Sequence, residues 1–334
     1  MGSLGDSVAL EDEHILITGA AGFIGQDLIS AFLSSSSTLR LTITDVAAPS
    51  IPAAYKAHSA RATTVQTDLT SSDAVDSLLR PRYSAVYLLH GLMSGGAEAN
   101  LELGWRVNWD SHRLVLDTLR HRHPGTVVVF PSSLAVYGPS TSKEAITNEL
   151  TCPLPQSSYG AQKHMVETYL NDMSRRGLLD GRIVRLPTII VRPGAPSAAA
   201  SSFASGIVRE PLKGLQAVLP VSRSLEMWVC SPSTVIQNLI LVKDVPSEKL
   251  GVNRVVNLPG ITVTVDDILE ALRAVVGDKA LDLVEEKRDV KIEAIVGSWP
   301  ARFDIGRAMS LGLTGDVTLV ETVEAFARSQ GYGQ

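Results

Sequence analysis

Short, fully apolar runs alternate with longer stretches whose apolar residues recur at helical spacing. His14-Ile15-Leu16-Ile17-Thr18 stops at a glycine and reads as a strand buried on both faces. Residues 23–33 carry helical spacing, a serine-rich loop follows over 34–37, and 39–45 alternates into a second strand. A weaker third strand over 63–66 leads to Asp68, and a helix over 73–79 is stopped by Pro81. Further strands are predicted over 85–89, 126–130 and 182–186, with long helices over 101–121 and 159–175, the second closed by Gly177. Strand and helix alternate to about residue 190. That order predicts an α/β protein with a Rossmann-type doubly wound parallel sheet, helices covering both faces.

Past Pro193 the alternation stops, and residues 196–206 are nearly all Ala and Ser. The division expected is a first domain over 1–194 and a smaller α/β lobe over 195–334, with short returns to the sheet near 227–241. Within that lobe Thr264 is placed to cap a helix over 265–276.

The 334 residues, 45% hydrophobic and 19% charged, are enough for roughly two domains with a large core and argue against long disorder. A net charge of −5 without a basic stripe speaks against a nucleic-acid partner. Two cysteines, Cys152 and Cys230, cannot build a disulfide framework or a four-ligand zinc site, which points to a reducing compartment and no metal. No apolar run reaches the roughly 20 residues of a membrane span. Residues 1–13 are polar and acidic rather than a secretory signal, and Asp6 stands where a myristoylation motif needs Ser or Thr. A cytoplasmic protein is expected.

Four motifs carry chemistry. Gly19-Ala20-Ala21-Gly22-Phe23-Ile24-Gly25 joins a strand to a helix, so its backbone can approach a pyrophosphate at the helix N-terminus. Asp45 ends the second strand; a carboxylate there accepts bonds from ribose hydroxyls and repels a 2′-phosphate, favouring NAD over NADP. Tyr159-Gly160-Ala161-Gln162-Lys163 sets a phenol and an ammonium on one helix face, where the ammonium is expected to lower the phenol's pKa and make it a proton acceptor. Pro131-Ser132-Ser133 follows the fifth strand, at the carboxyl edge where open α/β sheets bind ligands.

With those motifs in this order, the sequence resembles the extended short-chain dehydrogenase/reductase superfamily, through Thr18 to Gly25, Asp68-Leu69, Asn108, Ser132-Ser133 through Tyr137-Gly138, and Tyr159 with Lys163. The resemblance implies a Rossmann domain binding NAD and a catalytic set of Ser133, Tyr159 and Lys163. Ser133 is chosen over Ser132 because it stands four residues before Tyr137. The implied cofactor contacts are Gly19, Gly22, Phe23, Ile24 and Asp45, then Asp68 and Leu69 by the adenine, Leu89, His90 and Gly91, Asn108, Tyr159 and Lys163, and Pro187 to Ile189 at the nicotinamide end. Asn108 would also hold a water chain from Lys163.

Within that superfamily the chain is similar to the D-erythronate dehydrogenase group, through Ser94-Gly95-Gly96-Ala97-Glu98, Arg106-Val107-Asn108, the run from Arg185 to Leu212, Trp228 and Trp299-Pro300. That group oxidises the C2 hydroxyl of a four-carbon sugar acid. A carboxylate substrate needs a cationic or multi-donor anchor. Arg192 and Arg209 are candidates, with Ser94 and Thr188 as hydroxyl partners beside Ser133 and Tyr159; a surface or dimer-contact role accounts for either arginine equally well. The family pattern holds a small residue where His90 stands, and a space-filling role is expected for this imidazole rather than proton transfer. A homodimer is expected from the same resemblance. The other readings are a nucleotide-sugar epimerase or dehydratase that retains its NAD, a tailoring ketoreductase or isomerase, and a cofactor-sensing regulator, which the complete Ser–Tyr–Lys set disfavours.

Overall fold

The computed structural model describes residues 13–35, 38–142, 144–316 and 318–332. The acidic leader, apart from Glu13, and two serines of the 34–37 loop lie outside them.

The strands are β1 (His14–Thr18), β2 (Arg40–Asp45), β3 (Ala62–Gln66), β4 (Ala85–Leu88), β5 (Val127–Ser133), β6 (Asp180–Leu186), β7 (Thr188–Ile189), β8 (Ala217–Leu219), β9 (Glu226–Cys230), β10 (Val255–Asn257), β11 (Ile261–Thr264) and β12 (Val284–Glu286). The helices are α1 (Phe23–Ser35), α2 (Ser72–Leu78), α3 (Ser94–Ala99), α4 (Leu101–Trp105), α5 (Ser111–Arg122), α6 (Ser158–Arg175), α7 (Ser202–Leu212), α8 (Pro232–Lys243), α9 (Ser247–Leu250), α10 (Val265–Val276), α11 (Val290–Gly297), α12 (Gly306–Ser310) and α13 (Leu319–Ser329).

Seven strands pair in parallel in the order β10-β6-β5-β4-β1-β2-β3. The order reverses between β1 and β4, so their carboxyl ends open the crevice in which such sheets bind ligands. The period of two in β1 explains why the run is apolar throughout: Ile15 and Ile17 join the core under α1 and α8, while Leu16 joins the core under α2, α5 and α6.

A separate core unites α7, α10 and α13 with the small sheet β11-β9-β7 and the pair β12-β8. Thr264 caps α10 as expected: its hydroxyl accepts from the Asp267 N–H at 3.0 Å, and the Asp267 carboxylate accepts from the Thr264 N–H at 2.7 Å.

Three local features differ from what hydrophobic periodicity alone gives. The predicted helix over 101–121 is α4 and α5 joined by a π-helical turn, Arg106–Asp110. Helix α3 was hidden by Gly95 and Gly96, which lower helix propensity. Near 227–241 the chain adds no strand to the main sheet but lays a helix on it. β9 pairs with β7 and β11, α8 lies on the large sheet's face because Val235, Leu239 and Val242 bury there, and the strand that rejoins the sheet is β10.

Candidate active site

A cleft of about 810 Å³ opens at the carboxyl ends of β1 and β4 and runs to the second lobe. Every residue expected to act in catalysis or to contact cofactor or substrate lines it except Asn108.

At one end lies the glycine-rich turn. Gly19 has φ +64°, and a Cβ on it would stand 2.6 Å from the His90 nitrogen and the Leu89 carbonyl carbon. Gly25 packs so closely on Ala20 that a Cβ would approach its Cα to 2.7 Å. These contacts leave a bare backbone cradle before α1, and the open N–H groups of its first turn suit the pyrophosphate of a dinucleotide. Asp45 lines the same end and accepts from the Ala21 N–H at 3.0 Å and the Ala47 N–H at 3.3 Å. Asp68 accepts from Thr70 through its N–H at 2.9 Å and its hydroxyl at 2.8 Å, bonds that hold its carboxyl below the usual carboxylate range.

At the middle of the cleft β5 and α6 converge. Ser133, the last residue of β5, accepts from the Ala135 N–H at 3.1 Å, while Ser132 beside it is 2% exposed; both line the cleft. The Ser157 hydroxyl caps α6 by accepting from the Gly160 N–H at 3.2 Å, which puts Tyr159 in the first turn and Lys163 one turn on. The Lys163 ammonium donates to the Pro131 carbonyl at 2.9 Å and lies 5.7 Å from the Tyr159 ring centre.

The expected lowering of the phenol's pKa is corrected here. Burial pushes Tyr159 up to about 12, opposed by the Arg192 guanidinium, and burial pushes Lys163 down to about 8, opposed by Glu167. Desolvation of the phenol is the larger cause, and the charge that opposes it comes from Arg192.

Asn108 is fully buried outside the cleft. Its amide accepts from the Leu92 N–H at 2.7 Å and donates to the Leu92 carbonyl at 3.0 Å and to Gln162 Oε1 at 2.8 Å. The π-helical turn aims this side chain inward, so it ties the Leu92 loop to α6 instead of lining the cavity.

The two arginines differ. Arg209 is 2% exposed, paired with Glu210 at 2.6 Å, and donates to the Arg192 carbonyl at 2.9 Å. Arg192 donates to Ser201 at 3.3 Å and to Ser197 at 3.5 Å, and has no carboxylate partner among the described residues. Burial and the Arg209 charge lower its pKa to about 10. Ser94 and Thr188 are buried in the cleft wall, and the Ser94 hydroxyl accepts from the Ala200 N–H at 2.9 Å.

Sequence reasoning missed the buried pair Arg185–Glu167, at 2.6 Å, beneath Lys163. It noted Trp299 only as a point of similarity. This indole lines the cleft with its N–H unpartnered among the described residues, and no periodicity in the sequence marks it.

The model of the NAD dependent epimerase/dehydratase family matches residues 15–245. The chain is 41% identical to a D-erythronate dehydrogenase from Cupriavidus necator over 95% of this chain and 99% of the relative. It is 37% identical to a D-erythronate dehydrogenase from Haemophilus influenzae over 93% and 98%. Among solved structures, one named a nucleoside-diphosphate-sugar epimerase, from Agrobacterium tumefaciens, superposes with a TM-score of 0.87 at 33% identity, over 100% of this chain and 99% of that one. An L-threonine dehydrogenase from Cupriavidus necator shares the fold, with a TM-score of 0.83 at 23% identity over 95% and 99%.

Proposed function

The chain belongs to the NAD dependent epimerase/dehydratase family, and from that premise we propose that its cleft oxidises the C2 hydroxyl of a four-carbon sugar acid such as D-erythronate. It is an NAD-dependent dehydrogenase of the extended short-chain type. Bound NAD supplies the acceptor for the substrate's hydride. The protein's own part is to bind, orient and take the proton. The substrate hydroxyl sits between Ser133 and Tyr159, and the Tyr159 oxygen receives its proton. The Lys163 ammonium favours that oxygen's anionic form, and Asp45 accepts the adenosine ribose hydroxyls.

The observation that carries the substrate class is Arg192, a largely buried guanidinium in the cleft wall without a carboxylate partner among the described residues. Burying a charge without a partner is costly, so the arrangement suits a substrate that brings its own carboxylate. Arg209 spends its charge on Glu210 and supports Arg192 from behind.

A panel of C4 and C5 aldonic acids with NAD, followed by nicotinamide absorbance, tests the reading. D-Erythronate should be turned over best. Arg192→Met should raise its KM about tenfold or more, the loss of a charge-assisted bond, while NAD affinity stays unchanged. Equal KM in the two proteins sinks the carboxylate assignment. The name of the Agrobacterium structure favours a second reading, a nucleotide-sugar epimerase; such an enzyme would give no net absorbance change with any substrate. The reading also takes the protein as a cytoplasmic homodimer. The two free thiols support the compartment, and the half-buried Trp109 and Tyr169 on α5's approach and α6 support an interface. A monomer by light scattering would exclude the dimer.

A further inference from the structure

We propose that His90 is a positioning residue, an imidazole pinned on both nitrogens that holds three cofactor-facing segments at a fixed spacing and exchanges no proton. Most of the cleft follows the family pattern, but here an imidazole replaces the expected small side chain, followed by Gly91. The ring is not loose filler. Its Nδ1 lies 2.7 Å from Thr18 Oγ1 and its Nε2 lies 3.0 Å from Ser111 Oγ.

The partners assign the tautomer. Ser111 has one hydroxyl proton and gives it to the Val107 carbonyl at 2.6 Å, so its oxygen accepts from His90 Nε2–H. Thr18 receives the Leu89 N–H at 3.2 Å, and its one proton has two acceptors in reach, the Tyr87 carbonyl at 3.1 Å and Nδ1 at 2.7 Å; with the ring's own proton on Nε2, Nδ1 accepts along the shorter contact. The ring is therefore neutral, with its donor and its acceptor both engaged.

The three pinned segments all border the cleft. Thr18 immediately precedes Gly19 of the glycine-rich turn. Leu89 and His90 supply the backbone against which Gly19 packs. Ser111 follows the π-helical turn whose Asn108 grips Leu92. One imidazole closes this triangle, so removing it frees the phosphate-binding turn and the nicotinamide-side loop to move apart.

The surroundings oppose protonation. From α5, His112 stacks on His90 with ring centres 3.9 Å apart and planes at 14°, and His112 in turn sets its edge against Phe130. From α6, the Lys163 ammonium sits 4.5 Å from the centre of the Phe130 ring. From β1 and the start of α5 come the hydroxyls of Thr18 and Ser111. No carboxylate acts on the ring among the described residues. Burial, then the Lys163 charge, lowers its pKa to about 3, so it stays neutral throughout the working range.

Calorimetric titration with NAD, which needs no substrate, is the main test. His90→Ala should weaken NAD binding about tenfold, the loss of a pair of partly buried hydrogen bonds. His90→Gln keeps a donor and an acceptor at similar reach without titrating, and should recover most of that loss. Thr18→Val and Ser111→Ala each cut one tie while leaving the imidazole, and should weaken binding several-fold even if His90→Ala fails to fold. Unchanged affinity in these two variants overturns the proposal. The second readout rests on the proposed reaction: with D-erythronate, no limb near pH about 6.5 should vanish from the kcat/KM profile of His90→Gln. Loss of such a limb would make His90 a proton-exchanging residue and overturn the proposal, while failure of the sugar acid itself leaves the calorimetric arm standing.

Discussion

Tyr159 and Lys163 face opposite protonation problems in one small volume. Burial favours the neutral phenol, to about 12, and the neutral amine, to about 8. An oxidation that needs Tyr159 to receive a proton should therefore speed up as pH rises from about 6 towards about 8, because a larger share of the phenol is ionised, and should level off above that as the Lys163 ammonium loses its proton. A pH–rate profile falling over that range contradicts the assignment. Tyr159→Phe removes only the oxygen and should cut kcat/KM about 10²–10⁴-fold while leaving NAD affinity intact. Asp45→Ala should weaken NAD and narrow the preference over NADP, as measured by titration with both, since it removes the ribose acceptor and the repulsion of a 2′-phosphate together.

At the scale of elements, the first turn of α6 matters because it must press against the turn after β5. Gly160 permits that: a methyl on it would overlap the Ala135 carbonyl oxygen. Gly160→Ala should cost at least about 1–3 kcal/mol by overpacking and should lower kcat, because α6 carries both Tyr159 and Lys163 away from Ser133 as it yields. One turn below Lys163, Glu167 accepts from Arg185 at 2.9 Å and 2.6 Å, deep between α6 and β6. Burial raises the Glu167 pKa, but the bonds from Arg185 and His164 outweigh it and leave the carboxyl lowered. Its contribution to stability is thus present above the ordinary Glu range and lost as pH falls through the lowered value. Glu167→Ala leaves a buried guanidinium unpaired and should cost about 3–5 kcal/mol, read from the urea midpoint.

Across the whole molecule, the substrate end of the cleft depends on a strap between the two cores. The Gly95 N–H donates to the Ala198 carbonyl at 2.9 Å, next to the Ser94–Ala200 bond. A Cβ on Gly95 would come within 2.6 Å of that carbonyl oxygen. Gly95→Ala should loosen the 195–202 segment around Arg192 and raise KM for the sugar acid more than Kd for NAD; equal effects on both would place the strap's influence elsewhere. The chain also crosses the boundary expected at 194. Residues of α8 and β10 pack back on the large sheet, and Ile190 and Val191 already belong to the second core.

What the sequence determined by itself is what local chemistry encodes. The buried strands announce themselves because both faces of a parallel sheet are covered. The glycine-rich turn, Asp45 and the Tyr159–Lys163 spacing are contiguous or strand-terminal, so their geometry follows from one element each. Residue order along a helix could not reveal the π-helical turn, which shows only in backbone hydrogen bonds and which aims Asn108 away from the cavity. Nor could it separate Arg192 from Arg209, since pairing with Glu210 and the Arg192 carbonyl depends on how α7 meets the strand that precedes it. The protonation balance at Tyr159 and the pinning of His90 were decided only by tertiary packing. Desolvation and hydrogen bonding act through neighbours up to 72 positions away in the chain, and no local pattern carries that information.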